Sequence, residues 1–297
     1  MENRDNCLKL LSFWAVNGEL DPSVLKTQLE EMKALGLWGT IFHPRFYPGR
    51  PAYMSGPYLD ILSEVILHAR RLGLEFWIYD ENGWPSGSGD GHVLAHFPDS
   101  RCEWLMYRDG EVVVEGKPGF NTFRREEMAY FIEYTYEGYR KGLSEEAFSY
   151  VTGFFSDEVG FLDGHGVSLC MGGIPWCQEA EEAYGLLRGR KLRDEWGLLF
   201  TDGEGCQEVR QTYWQILGDL LADAFYKPVN RWCETYKKRY TAHLKGEETL
   251  FFQTSCSGSL YQNLKQVNVP AVDALERYPG NHYSVSYTHL RAHETLS

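Results

Sequence analysis

Short apolar runs alternate along this chain with longer amphipathic stretches, and that alternation leaves few folds open. A short apolar run bounded by turn residues reads as a buried strand, and apolar residues three or four apart read as one face of a helix. Strand followed by helix builds a parallel sheet, because each parallel neighbour needs a crossover. The first run is Leu10–Val16. Asp21-Pro22 then marks a helix start, a capping side chain followed by proline at the first helical position. Leu25, Leu29, Met32 and Leu35 follow at helical spacing, before Gly36. Further runs lie at Leu37–Phe42, Leu74–Tyr79, Val151–Ser156, Tyr240–Leu244 and Val269–Leu275. Helical spacing recurs over Tyr58–Leu72, Glu126–Lys141, Cys206–Tyr236 and Leu250–Val267, with Pro228 expected to kink or divide the segment that holds it.

Six βα steps result. The chain's 297 residues, 43% of them apolar, suit one barrel domain of roughly 250 residues. A closed (β/α)8 barrel needs more than six strands, and six parallel strands would also fit an open doubly wound sheet. No glycine-rich phosphate turn follows the first strand, however. Gly87-Ser88-Gly89-Asp90-Gly91 follows the third strand but lacks the dinucleotide fingerprint. The expectation is an α/β chain, a TIM-type (β/α)8 barrel that is incomplete, over residues 1–283. Insertions are expected near 88–123, irregular but for a hairpin around Arg108-Asp109-Gly110, and near the glycine-rich 159–205.

Composition narrows the partners. The net charge of −13 argues against nucleic acid, which is bound through basic stripes, and against anionic membranes. No run of apolar residues is long enough to span a bilayer, and MENRDNCLKLLSFW lacks the apolar core of a signal peptide. The seven cysteines are odd in number, form no C-x-x-C and have no zinc spacing. Scattered thiols of this kind fit a cytoplasmic protein. Aromatics make up 15% of the chain, which serves either a large core or the apolar faces of sugars.

In a barrel the reacting groups sit at the C-terminal strand ends. Those positions carry Trp14 and Asn17, then His43 and Arg45, then Asp80, Glu81, Asn82 and Trp84, then Asp157 and Glu158. The last two strands offer His243, Glu247 and Glu248, then Asp273 and Glu276. Any one of these charges could simply face water; their recurrence at successive strand ends points to chemistry. Glycoside hydrolysis needs such a set, with one carboxyl donating a proton to the leaving oxygen and a second acting on the opposite face. Glu158 closes an apolar strand and is the first choice for the acid, with Glu247 or Glu248 as its partner. Asp157, Asp80 and Glu81 suit sugar hydroxyls, as do Asn82, Asn17, His43, Arg45, His243 and Asp273. Trp84 reads equally as a stacking platform or as a loop anchor, and Trp14 as a substrate contact.

At these residues the chain resembles the rhamnosidase-type family 106 glycoside hydrolases and their bacterial relatives. The similar stretches are Phe13-Trp14-Ala15-Val16-Asn17-Gly18, Thr27-Gln28-Leu29-Glu30-Glu31-Met32-Lys33 with Gly36, and Ile41-Phe42-His43-Pro44-Arg45. Three more are Trp77–Gly87 (WIYDENGWPSG), Gly153-Phe154-Phe155-Ser156-Asp157-Glu158, and His243 through Glu248. The resemblance implies a (β/α)8 barrel acting on an oligosaccharide or glycoside, an acid at the fourth strand, further β-sandwich domains downstream, inversion and calcium. No dense Asp/Asn loop is present, so no residue is assigned to calcium and no cofactor is expected. Two other readings stay open: a non-catalytic carbohydrate-binding barrel, and a metal-dependent barrel hydrolase using His43 and His243. Residues 285–295 (VSYTHLRAHET) resemble translated sequencing-adapter read-through, so 284–297 is expected to be a non-native tail on a fragment.

Overall fold

The computed structural model describes residues 9–163, 173–247 and 249–271. Six strands run parallel: β1 (Leu11–Val16), β2 (Gly39–Pro44), β3 (Glu75–Tyr79), β6 (Gly153–Val159), β8 (Arg239–Leu244) and β9 (Val269–Pro270). Their spatial order, β1-β2-β3-β6-β8-β9, never reverses the chain order. The sheet therefore lacks the switch point at which a doubly wound sheet changes direction. The expected tail at 284–297, and Glu248, Asp273 and Glu276, lie outside the described residues.

The helices lie where the apolar spacing puts them. Asp21 caps α1 (Pro22–Ala34), its carboxylate accepting from the Ser23 and Val24 amides. Ser55 caps α2 (Gly56–Leu72), and Gly73, at φ 68°, ends it in the left-handed conformation. The predicted Glu126–Lys141 helix starts as α3 (Arg125–Ile132) and continues through a π-helical turn at Glu133–Glu137. The segment holding Pro228 is divided into α4 (Cys206–Leu221) and α5 (Lys227–Thr235) around a π-helical turn. Leu250–Val267 is not one helix. It breaks after Ser257 at Gly258, whose φ is 79° and whose missing side chain leaves room for Gly218.

The two insertions depart further from expectation. The first holds the hairpin β4 (Arg101–Arg108) and β5 (Glu111–Pro118), turned by Asp109 and Gly110, both at positive φ as a tight hairpin turn requires. The second supplies β7 (Gly173–Trp176), which pairs antiparallel with β4. Together they form a separate three-stranded sheet, β5-β4-β7. The hairpin is where Arg108-Asp109-Gly110 places it; its pairing with β7 across a long stretch of sequence is not a local signal.

The parallel sheet has two unlike faces. Trp14, Phe42, Ile78, Phe154 and Tyr240 share one face and are buried beneath the helices. Much of the aromatic content goes into this core, where Tyr58, Tyr136, Tyr139, Tyr213, Tyr226 and Tyr240 are among the fully buried side chains. Burying each large apolar side chain contributes about 1.5–3 kcal/mol. The opposite face carries Phe13, His43, Tyr79 and Phe155, and Phe13 is 44% exposed.

Candidate active site

Side chains in a strand alternate between faces, so residues two apart from His43 and Tyr79 share their side. The Phe13 ring meets His43 edge-on at 5.2 Å, Tyr79 at 5.7 Å and Phe155 at 5.3 Å. His43 stacks on Tyr79 with centroids 3.6 Å apart. The Tyr79 hydroxyl donates to Asp157 Oδ2 at 2.6 Å, and Asp157 Oδ1 is hydrogen-bonded to His243 Nε2. His243 Nδ1 lies 3.5 Å from Glu247 Oε1, and that carboxylate also accepts from the Leu244 amide. An aromatic wall thus leads to a buried chain of Asp157, His243 and Glu247.

Charge follows burial and partners. Burial would pull His243 down, but its two carboxylate neighbours outweigh this and push its pKa up to about 10. Burial opposes the charge on Asp157 too, yet the His243 contact and the Tyr79 hydroxyl hold it below the ordinary carboxylate range. The pair is therefore an imidazolium and a carboxylate. His43 has no such partner, and burial lowers it to about 4, which leaves it neutral. Its Nε2 faces the Gly83 carbonyl at 3.3 Å, and its buried Nδ1 has no hydrogen-bond partner among the described residues.

Glu158 owes its position to an irregularity. The β6–β8 register shifts between Ser156 and Val159, and Glu158 takes φ 46°, a conformation that side chains other than glycine adopt at a cost. The bulge breaks the alternation, so Asp157 and Glu158 both approach His243. The Glu158 side chain is 24% exposed, and Lys245 Nζ stands 3.5 Å from Oε2. Strained residues of this kind concentrate at working sites.

Several sequence expectations are corrected by which face a side chain takes. Trp14 points under the helices, its Nε1 donating to Gln28 Oε1 at 3.0 Å, and Phe13 takes the inner position instead. Asp80 is fully buried beneath the strand end, accepting from Ser86, from Tyr136 at 2.6 Å and from Ser156 at 2.6 Å; burial raises its pKa to about 6. Glu81 turns into its own loop, where its two oxygens accept from the backbone amides of Asn82, Ser88, Gly89 and Asp90. Burial pushes Glu81 up to about 7 against the pull of those amides. Both acids are buried and bonded to the protein's own donors. Asn82 is likewise committed, bracing Tyr47 and Asp90. Glu247 lies against His243, its Oε1 3.5 Å from Nδ1. Asn17 is exposed beyond the end of β1, while Arg45 and Trp84 are half-buried at the rim. The sequence reading did not reach Phe13, Tyr79, Phe155 and Lys245; of these, Phe155 follows from counting back two from Asp157 along its strand.

No family model matches the chain. A curated protein of Formosa agariphila named "Putative beta-glucuronidase" is 29% identical over 115 residues, which make up 37% of this chain and 9% of that protein. The β-galactosidase of the haloarchaeon Halorubrum lacusprofundi aligns with a TM-score of 0.56 at 12% identity, over 92% of this chain and 42% of the other. The β-galactosidase of Rahnella sp. R3 gives 0.54 at 14% identity, over 95% and 42%. The rhamnosidase of Novosphingobium sp. PP1Y gives 0.51 at 11% identity, over 79% and 45%. The chain is thus similar in fold to glycoside hydrolases, and it spans less than half of these structures and 9% of the curated relative. The likenesses reach glycoside hydrolases in general and do not single out family 106. No helix among the described residues is long and apolar enough to cross a membrane.

Asp157, Glu158 and His243 offer ligand atoms within 4.8 Å of one another. Calcium takes roughly six to eight oxygen ligands, and this group has only two carboxylates and an imidazole already tied to Asp157. The group does not fit calcium. His43 stands outside it, so the two histidines expected of a metal-dependent hydrolase do not meet at one ion among the described residues.

Proposed function

We propose that this chain is part of a glycoside hydrolase whose complete catalytic domain is a (β/α)8 barrel and whose proton donor is Glu158. The observation that carries the reading is the bulge that presents Glu158 on the inner face, beside the buried Asp157–His243 pair. The likeness in fold to β-galactosidases and a rhamnosidase supports it, as does the match to a protein named for β-glucuronidase activity. An α-L-rhamnosidase-like reaction is the finer reading, supported by the strand-end stretches that resemble family 106.

Each residue then has a task. Glu158 donates its proton to the leaving oxygen, and Lys245 Nζ, 3.5 Å away, stabilises the carboxylate left after the transfer. Asp157 and His243 are held by Tyr79 and Glu247, which fixes the floor on which Glu158 stands. Phe13, exposed on the inner face, offers an apolar surface to a sugar ring. Glu247, against His243, and its neighbour Glu248 remain this chain's candidates for the second carboxylate. The whole protein carrying Glu158→Gln is expected to lose at least about 100-fold in turnover of its aryl glycoside, the scale of lost general acid catalysis. Its thermal midpoint should be unchanged. Near-normal turnover would remove Glu158 as the acid.

A further inference from the structure

We propose that Arg45 and His43 form a subsite for a carboxylate-bearing sugar, a uronic acid, at the rim of this site; the inference rests on the glycosidase reading for its role but not for its geometry. Arg45 follows the last residue of β2, two positions from His43, and so belongs to the inner side of the sheet. Its backbone amide still donates to the Val16 carbonyl at 3.0 Å, which holds the chain in strand register there. Its guanidinium lies over the Trp84 ring at 4.3 Å, and Trp84 is braced by Phe46 at 4.9 Å.

This arginine has no acidic partner within ion-pair distance among the described residues, although the protein has 42 acidic side chains against 29 basic ones. Most surface arginines here are matched, Arg70 with Glu146 and Arg108 with Glu115 for example. A guanidinium presents a flat fork of donors that suits a carboxylate in two parallel bonds. Held over an indole and half withdrawn from water, it is already oriented for such a partner.

The second observation is independent of the first. His43 is fully buried, neutral, and has one ring nitrogen without a hydrogen-bond partner among the described residues. With Nε2 donating to the Gly83 carbonyl, Nδ1 is an acceptor and suits a sugar hydroxyl. A buried polar atom left unpaired is costly, and a ligand hydroxyl would relieve it. Arg45 and His43 lie two residues apart at the end of β2, and a uronic acid carries a carboxylate for the one and a hydroxyl for the other.

The test uses the whole protein with sodium D-glucuronate and D-glucose as probes, followed by titration calorimetry or ligand-observed NMR. Glucuronate is expected to bind at least about tenfold more tightly than glucose, the worth of one charge-assisted hydrogen bond. Arg45→Gln should erase that preference while leaving glucose binding and the thermal midpoint in place. Arg45→Lys should restore only part of it, since a lysine lacks the fork. Equal binding of the two sugars by the unaltered protein, or an equal loss of both in Arg45→Gln, would overturn the subsite. If the preference follows Arg45 but no aryl glycoside is turned over, the glycosidase reading fails and the subsite stands.

Discussion

At the scale of single residues, the buried Asp157–His243 pair should leave a signature in the pH dependence of stability. The folded pKa of His243, about 10, lies above its unfolded value of about 6.5. Its contribution is therefore fully present below about pH 6.5 and is lost as pH rises through about 10. Replacing His243 by Gln breaks a buried pair, which costs about 3–5 kcal/mol. The expected result is a variant much less stable than the parent at pH 6, with the gap closing steadily toward pH 10. Urea unfolding at a series of pH values reads this directly, and a gap independent of pH would mean that the pair is not ionised as described. Asp80 and Glu81 carry a different lesson. Both sit in a loop that looks made for sugar hydroxyls, yet each is spent on the protein's own donors.

At the scale of elements, the parallel sheet depends on close approach between strands. A Cβ at Gly153 would meet the Arg239 carbonyl oxygen at 2.5 Å and the Trp77 ring at 2.6 Å. The carbonyl belongs to a paired strand and cannot swing away, so β6 itself would have to move. Gly153→Ala is expected to cost about 1–3 kcal/mol, the usual penalty for overpacking, seen as a lower urea midpoint at unchanged slope. It should also lower turnover of the whole protein, because Glu158 and Asp157 ride on the same strand. The hydroxyls of Tyr226 and Tyr240 hold that strand from the helix side, bonded to the Val159 carbonyl at 2.9 Å and the Ser156 hydroxyl at 3.0 Å. Their burial explains why so many tyrosines serve structure rather than substrate.

At the scale of the whole molecule, a buried carboxylate is one of the ties between the small antiparallel sheet and the main body, beside the Tyr213 hydroxyl on the Pro175 carbonyl and the Lys117–Asp163 pair. Glu127 is fully buried and accepts from the Ser100 hydroxyl at 2.6 Å, the Asn121 amide at 2.7 Å and Arg124 at 3.3 Å. Glu127→Gln replaces one accepting oxygen by a donor among donors, leaving at least one unsatisfied at about 1–3 kcal/mol. Hydrogen exchange should then quicken in β4 and β5 while β6 stays protected, the pattern of a locally opening unit. Equal quickening in both would show that the small sheet and the parallel sheet unfold together.

The elements, their order and the chemical character of the strand ends were legible in the amino-acid sequence, because hydrophobic period and capping residues are local. Asp21, Ser55 and Gly73 punctuate the helices as their chemistry requires, and the inner positions of His43, Asp157 and His243 follow from strand ends alone. What tertiary structure decided was which face each neighbour took. Trp14 and Phe13 differ by one position, and register against β2 sends one to the core and the other to the site. The bulge at Glu158 and the capture of two insertions into one sheet arise from pairings between distant segments. A local pattern states that a side chain alternates; only the packed neighbours determine what lies on either side.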